Sequence, residues 1–91
     1  ARVALLARRA GRLDALAAEL AASGQKARAV PCDVTDESAA QAAVATCLGR
    51  LGGIDVLVNC AGIAGYPLET HTTDDALWAE LIDTNLTAPF R

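Results

Sequence analysis

The chain has 91 residues, a formal net charge of −3 at pH 7 and a pI near 4.9, so it offers no basic surface for nucleic acid or for an anionic membrane. At 53% hydrophobic and 21% charged residues the composition is that of one folded domain rather than a disordered chain, although much of the apolar content is alanine. No apolar run approaches the roughly 20 residues of a membrane span, and no charged-then-apolar leader is visible, so a soluble, cytoplasmic protein is expected.

Residues 3–7 form a short apolar run closed by Arg8 and Arg9, which predicts a strand. Leu13, Leu16, Ala17 and Leu20 then recur at helical spacing, so residues 9–22 should form an amphipathic helix ended by Gly24. Residues 26–31 alternate loosely and lead into Cys32, Asp33 and Val34, a second strand with its polar end at Asp33. Thr35 is expected to cap the next helix, with Asp36 and Glu37 in a first turn that favours negative charge. The apolar face of that helix runs through Ala40, Ala43, Val44, Cys47, Leu48 and Leu51 to a break at Gly52 and Gly53.

Ile54, Val56, Leu57 and Val58, interrupted only by Asp55, predict a third strand over residues 54–59, covered on both faces as in a parallel sheet. A loop over residues 62–72 follows. Thr72 or Thr73, with Asp74 and Asp75, then opens a last helix expected to run to about residue 88, where Pro89 stops it. Leu77, Trp78, Leu81, Ile82 and Leu86 make its apolar side. The amide of Asn85 falls on or beside that stripe, where burial demands hydrogen-bond partners.

Three strands alternating with three helices place the chain in the α/β class, as a fragment of a doubly wound parallel sheet. Cys32, Cys47 and Cys60 show no pairing motif and are expected as free thiols. His71 has no ligand spacing with any Cys, Asp or Glu, so no metal is expected. The small-residue turn Cys60-Ala61-Gly62 lies at the carboxyl end of the third strand, where ligands sit in open parallel sheets.

The run Ile54-Asp55-Val56-Leu57-Val58-Asn59-Cys60-Ala61-Gly62-Ile63 resembles the strand-four signature of the short-chain dehydrogenase/reductase family, usually N-N-A-G, with Cys60 at the second Asn. Family-like segments occur in the expected order from Val3 to Phe90. The resemblance implies that residues 1–91 are part of an NAD(P)-binding Rossmann domain, from its second strand to its fourth helix. The glycine-rich turn that cradles the diphosphate would then lie before Ala1, and the catalytic serine, tyrosine and lysine after Arg91. The 91 residues alone are expected to be inactive. In the strand order 3-2-1-4-5-6 the first strand lies between the second and the fourth, which leaves a one-strand gap between the first and third strands predicted here.

Arg8, Arg9 and Arg12 cluster at the end of the first predicted strand. Read alone, they serve equally well as solvated cations at a helix start. In a dinucleotide fold this turn faces the adenosine ribose, where an acid accepts from the 2′-hydroxyl of NAD and a base pairs with the 2′-phosphate of NADP. The position where NAD-preferring relatives carry an acid is Ala7 here. The resemblance therefore makes Arg8 the main 2′-phosphate ligand and Arg9 a helper, and favours NADP(H) over NAD. By the same resemblance Asp33 accepts from the adenine amino group and Val34 packs on the ring, where the plain reading is a turn or capping Asp. Asn59 is implied to tie strand ends together, while Ala61 and Gly62 leave room for ribose and diphosphate. Cys60 lacks a neighbouring base and is expected to be a packed thiol.

Asn85, in the run Asp83-Thr84-Asn85-Leu86-Thr87, matches the asparagine of the family's catalytic tetrad, which holds a water for proton relay. The other reading is a local backbone bond. Tyr66 is followed four residues later by Thr70, not by the lysine of a Y-x-x-x-K pair, and with His71 it reads as a loop or lid residue. The activity implied is transfer of a hydride between nicotinamide and a small-molecule carbonyl or secondary alcohol. Residues 74–87 look closest to the β-ketoacyl and polyketide ketoreductases, whose substrate class is a 3-oxoacyl thioester. The alternatives are an NAD-linked polyol or hydroxysteroid-type dehydrogenase and a non-catalytic dinucleotide-binding module. Relatives assemble through the last helix, so a dimer or tetramer is expected, and Leu77, Trp78 and Leu81 suit an interface as well as a core.

Overall fold

In the computed structural model, which describes residues 1–65 and 69–91, strand β1 (Arg2–Ala7) pairs in parallel with β2 (Lys26–Pro31). The register runs from Arg2 opposite Lys26 to Ala7 opposite Pro31. A parallel pair needs a crossover, and helix α1 (Ala10–Ala22) supplies it. The helix ends where Gly24 adopts a φ of 79°, which an L side chain resists, and the Gln25 N–H turns back to the Leu20 carbonyl at 2.9 Å.

Helix α2 (Glu37–Leu51) follows, capped by Asp36 rather than by Thr35. The Asp36 carboxylate accepts from the Ala39 N–H at 3.0 Å, while the Thr35 hydroxyl is engaged with Asp33. Asp36→Ala is expected to lower stability by about 1 kcal/mol in chemical denaturation, with Asp36→Asn nearly neutral because it keeps the cap acceptor.

Alternation along the strands puts Ala4, Val30 and Cys32 on one face. There they pack with Ala39, Ala40, Ala43, Cys47 and Leu51 of α2 in the core cluster. Helix α1 packs against the strands without joining that cluster, burying Leu13. Val44 and Leu48, expected on the buried face of α2, and Leu16 of α1 are exposed. The chain forms two compact units, Ala1–Leu57, which holds these elements, and Val58–Arg91.

Residues 54–59 do not form the expected third strand. A strand exists through ladder bonds to a neighbour, and among the described residues the sheet contains only β1 and β2. Val56, Leu57 and Val58 are 77%, 77% and 70% exposed, so their apolar pattern is present without the pairing that would use it. Two strands pair and the apolar run at residues 54–59 stays unpaired, in keeping with the one-strand gap expected between the first and third predicted strands.

In the second unit, a 3₁₀ turn at Thr70–Thr72 precedes helix α3 (Asp75–Ile82). Asp74, not Thr72 or Thr73, caps that helix, accepting from the Leu77 N–H at 2.7 Å. A π-helical turn over Asp83–Thr87 and a last α-turn, α4 (Ala88–Phe90), continue it. Pro89 therefore does not stop the helix. Its ring supplies no N–H to the Asn85 carbonyl four residues back, and the backbone widens just upstream so that the Ala88 N–H reaches the Asp83 carbonyl. Leu77, Leu81 and Ile82 are half-buried, whereas Trp78 and Leu86 are 60% and 64% exposed, against the expectation of a buried side. Among the described residues no helix is long and apolar enough to cross a membrane.

Candidate functional site

Two groups of predicted site residues are brought together, one in each unit. In the first unit the Cys32 N–H donates to the Ala7 carbonyl at 3.0 Å, which carries the pairing one bond beyond the ladder. Arg8 and Asp33 consequently leave the same carboxyl edge of the sheet. Arg8, Arg9 and Arg12 are exposed there, and Val34 is half-buried beside Asp33.

Asp33 is held by its own turn at this edge. Its Oδ1 accepts from the Thr35 hydroxyl at 2.7 Å and from the Thr35 N–H at 3.0 Å. The hydroxyl bond first and then the amide bond hold the Asp33 carboxyl below its ordinary value against an opposing desolvation, with the Arg8 guanidinium adding least. Neither Thr35 bond uses Oδ2. Burial pushes the Cys32 thiol up, with Asp33, Asp36 and Cys47 adding to the effect.

The lowered Asp33 value has a sign that can be checked. A carboxylate favoured in the folded state contributes stability above its unfolded titration range and loses it as pH falls through its folded one. Thr35→Val is expected to move the Asp33 midpoint upward in an NMR pH titration of the carboxyl carbon, so that this contribution is lost at higher pH than in the parent.

In the second unit Asn85 makes a two-point clamp. Its Oδ1 accepts from the Ile63 N–H and its Nδ2 donates to the Ile63 carbonyl, both at 2.8 Å. The backbone itself dictates which end of the amide faces which group. These bonds span 22 residues, so the alternative of a local helix bond does not hold. Gly62 lies against the same amide, and a Cβ there would sit 3.3 Å from Asn85 Oδ1. Asn85 thus joins the π turn to the segment just past Ala61 and Gly62.

Asn59, Ala61 and Cys60 are exposed. Cys60 is therefore not the packed thiol expected, and the strand-tying bond of Asn59 is not among those formed by the described residues. His71 pairs with Glu69 at 3.3 Å on the surface. Tyr66 lies outside the described residues. No group of three His, Cys, Asp or Glu residues is placed to hold a metal among the described residues. Sequence reasoning missed Thr35 and Ile63 as site residues. Thr35 carried a signal, its place two residues after Asp33 where an Asx turn closes, but Ile63 acts through its backbone and carried none.

A parallel strand–helix–strand unit with cations and an ionised aspartate at its carboxyl edge belongs to the doubly wound, Rossmann-type α/β proteins. Within that class the sequence profile of the short chain dehydrogenases matches residues 1–91, and the chain belongs to that family. It is 39% identical over 90 residues to the protein assigned as ketoacyl reductase 1 of the granaticin polyketide synthase of Streptomyces violaceoruber, a match covering 99% of this chain and 33% of that protein. The fold superposes with a TM-score of 0.92 on a metagenomic short-chain oxidoreductase in complex with NADP, at 39% identity over 99% of this chain and 41% of that one. A 3-ketoacyl-ACP reductase of Sinorhizobium meliloti gives a TM-score of 0.91 at 30% identity, over 98% of this chain and 35% of that one. The chain spans 33%, 41% and 35% of the length of these three proteins.

Proposed function

We propose that the protein is an NADP(H)-dependent oxidoreductase acting on a small-molecule carbonyl or secondary alcohol, with 3-oxoacyl thioesters as the substrate class, and that these 91 residues are the part of its Rossmann domain running from second strand to fourth helix. The observation that carries this reading is the edge formed by Arg8 and Asp33, where the turn Ala7-Arg8-Arg9 offers guanidinium and no carboxylate to the 2′-position of a ribose. Arg8 pairs with the 2′-phosphate and Arg9 assists. Asp33 accepts from the adenine amino group, and Val34 covers one side of the ring. In the second unit Ala61 and Gly62 leave room for ribose and diphosphate.

When bound, the nicotinamide supplies the hydride. Asn85 commits its side chain to the Ile63 backbone, so a water held for proton relay would bind at its backbone carbonyl, to which Pro89 has no N–H to donate. The NADP complex of one structural neighbour and the ketoacyl reductase descriptions of two similar proteins support the cofactor and substrate class. We place the enzyme in the cytoplasm as a proposal of the same reading; among the described residues no helix is long and apolar enough to cross a membrane, and the exposed Trp78 supports assembly into a dimer or tetramer through α3.

The test is oxidation of NADPH and of NADH by the purified full-length protein with a 3-oxoacyl thioester, alongside calorimetric binding of each nucleotide. NADPH-driven reduction upholds the reading. Equal or better use of NADH points to an NAD-linked dehydrogenase, and a folded protein that binds neither nucleotide is a non-catalytic module.

A further inference from the structure

The Asp33 carboxylate is not free to rotate. Both Thr35 bonds fall on one oxygen, from two donors of the same residue, and one of them is the backbone N–H, whose position is set by the chain's entry into α2. A single hydrogen bond would leave the carboxylate able to swing about it. Two converging bonds fix its plane and identify Oδ1 as the protein's acceptor and Oδ2 as the outward one. Thr35 is half-buried and Asp33 is exposed, so the anchored group faces solvent.

We propose that Thr35 is a positioning residue for base recognition, orienting Asp33 so that Oδ2 selects a purine bearing an amino group at position 6 over one bearing an oxo group there. The proposal rests on the assignment of Asp33 to the adenine in the preceding section. The chemistry is that of a carboxylate acceptor: a 6-amino group donates to it, whereas a 6-oxo group presents a second acceptor and is repelled. The discrimination depends on aim, because an unanchored carboxylate at an exposed edge turns towards water and distinguishes the two bases weakly.

The experiment compares NADPH with its 6-oxo analogue, reduced nicotinamide hypoxanthine dinucleotide phosphate, in binding and turnover by the full-length protein. The variants are Thr35→Val, Thr35→Ser and Asp33→Asn, each checked for native circular dichroism. The parent should prefer NADPH on the order of tenfold. Thr35→Val should reduce that preference several-fold through KM with kcat nearly unchanged, and Thr35→Ser, which keeps the hydroxyl, should restore it. If Asp33→Asn abolishes the preference while Thr35→Val leaves it intact, Thr35 only shapes the turn and the proposal is overturned. If the parent binds NADPH but shows no preference, or Asp33→Asn leaves the preference unchanged, the assignment of Asp33 to adenine fails and takes the proposal with it.

Discussion

Arg8→Asp in the full-length protein is expected to weaken NADPH binding on the order of a hundredfold and to raise NADH to parity or better. On the proposed function, the substitution removes a charge-assisted bond to the 2′-phosphate, places a like charge opposite that phosphate, and supplies the acceptor that a 2′-hydroxyl needs. Arg8 is also one of the charges that favour ionised Asp33, so reversing it adds a smaller cost at the adenine end of the same edge. Arg9→Asp should shift the ratio in the same direction by less. Calorimetry with the two nucleotides reads both changes; an unchanged NADPH affinity in Arg8→Asp would remove the arginines from the cofactor site and leave them as solvated cations.

The second large effect is expected at Asn85. Asn85→Ala deletes both bonds to Ile63 and should cost about 1–2 kcal/mol of stability. Asn85→Asp is closer in shape and should be worse for function. An ionised aspartate keeps the acceptor for the Ile63 N–H but sets an oxygen against the Ile63 carbonyl where the amide donated. Both variants release the segment after Gly62; on the proposed function that segment borders the cofactor, and displacing reacting groups by about 1 Å is enough for a loss on the order of a hundredfold in kcat/KM. Asn85→Asp retaining full activity at neutral pH would show that the clamp does not set the geometry of the site.

Much of this molecule was legible from residue order. The apolar run at residues 3–7, the helical spacing of Leu13, Ala17 and Leu20, and the glycines at 24 and 52 gave β1, α1 and the helix ends, because each of these signals is local to the backbone it controls. The caps were placed one residue early or more. At both starts a carboxylate outcompeted a neighbouring threonine, Asp36 against Thr35 and Asp74 against Thr72 and Thr73, and the choice depends on which oxygen the turn brings over the free N–H groups. The arginine cluster and the pair Asp33-Val34 were visible as residue types; that Arg8 and Asp33 share one edge followed only from the parallel register.

The sequence by itself determined the alternation of strand and helix, the family, and the chemistry available at the edge: guanidiniums, one carboxylate and a small-residue turn. Tertiary structure alone decided the register of the paired strands and which polar groups meet. Residues 54–59 have the apolar pattern of a buried strand yet are unpaired among the described residues; the strand order implied a gap beside them, but a ladder forms only where a second segment is present. The Asn85 clamp, likewise, joins an amide in a π turn to a backbone 22 residues away. A side chain announces its donors and acceptors in the sequence, but a backbone N–H and C=O are the same at every residue, so only the fold could single out Ile63.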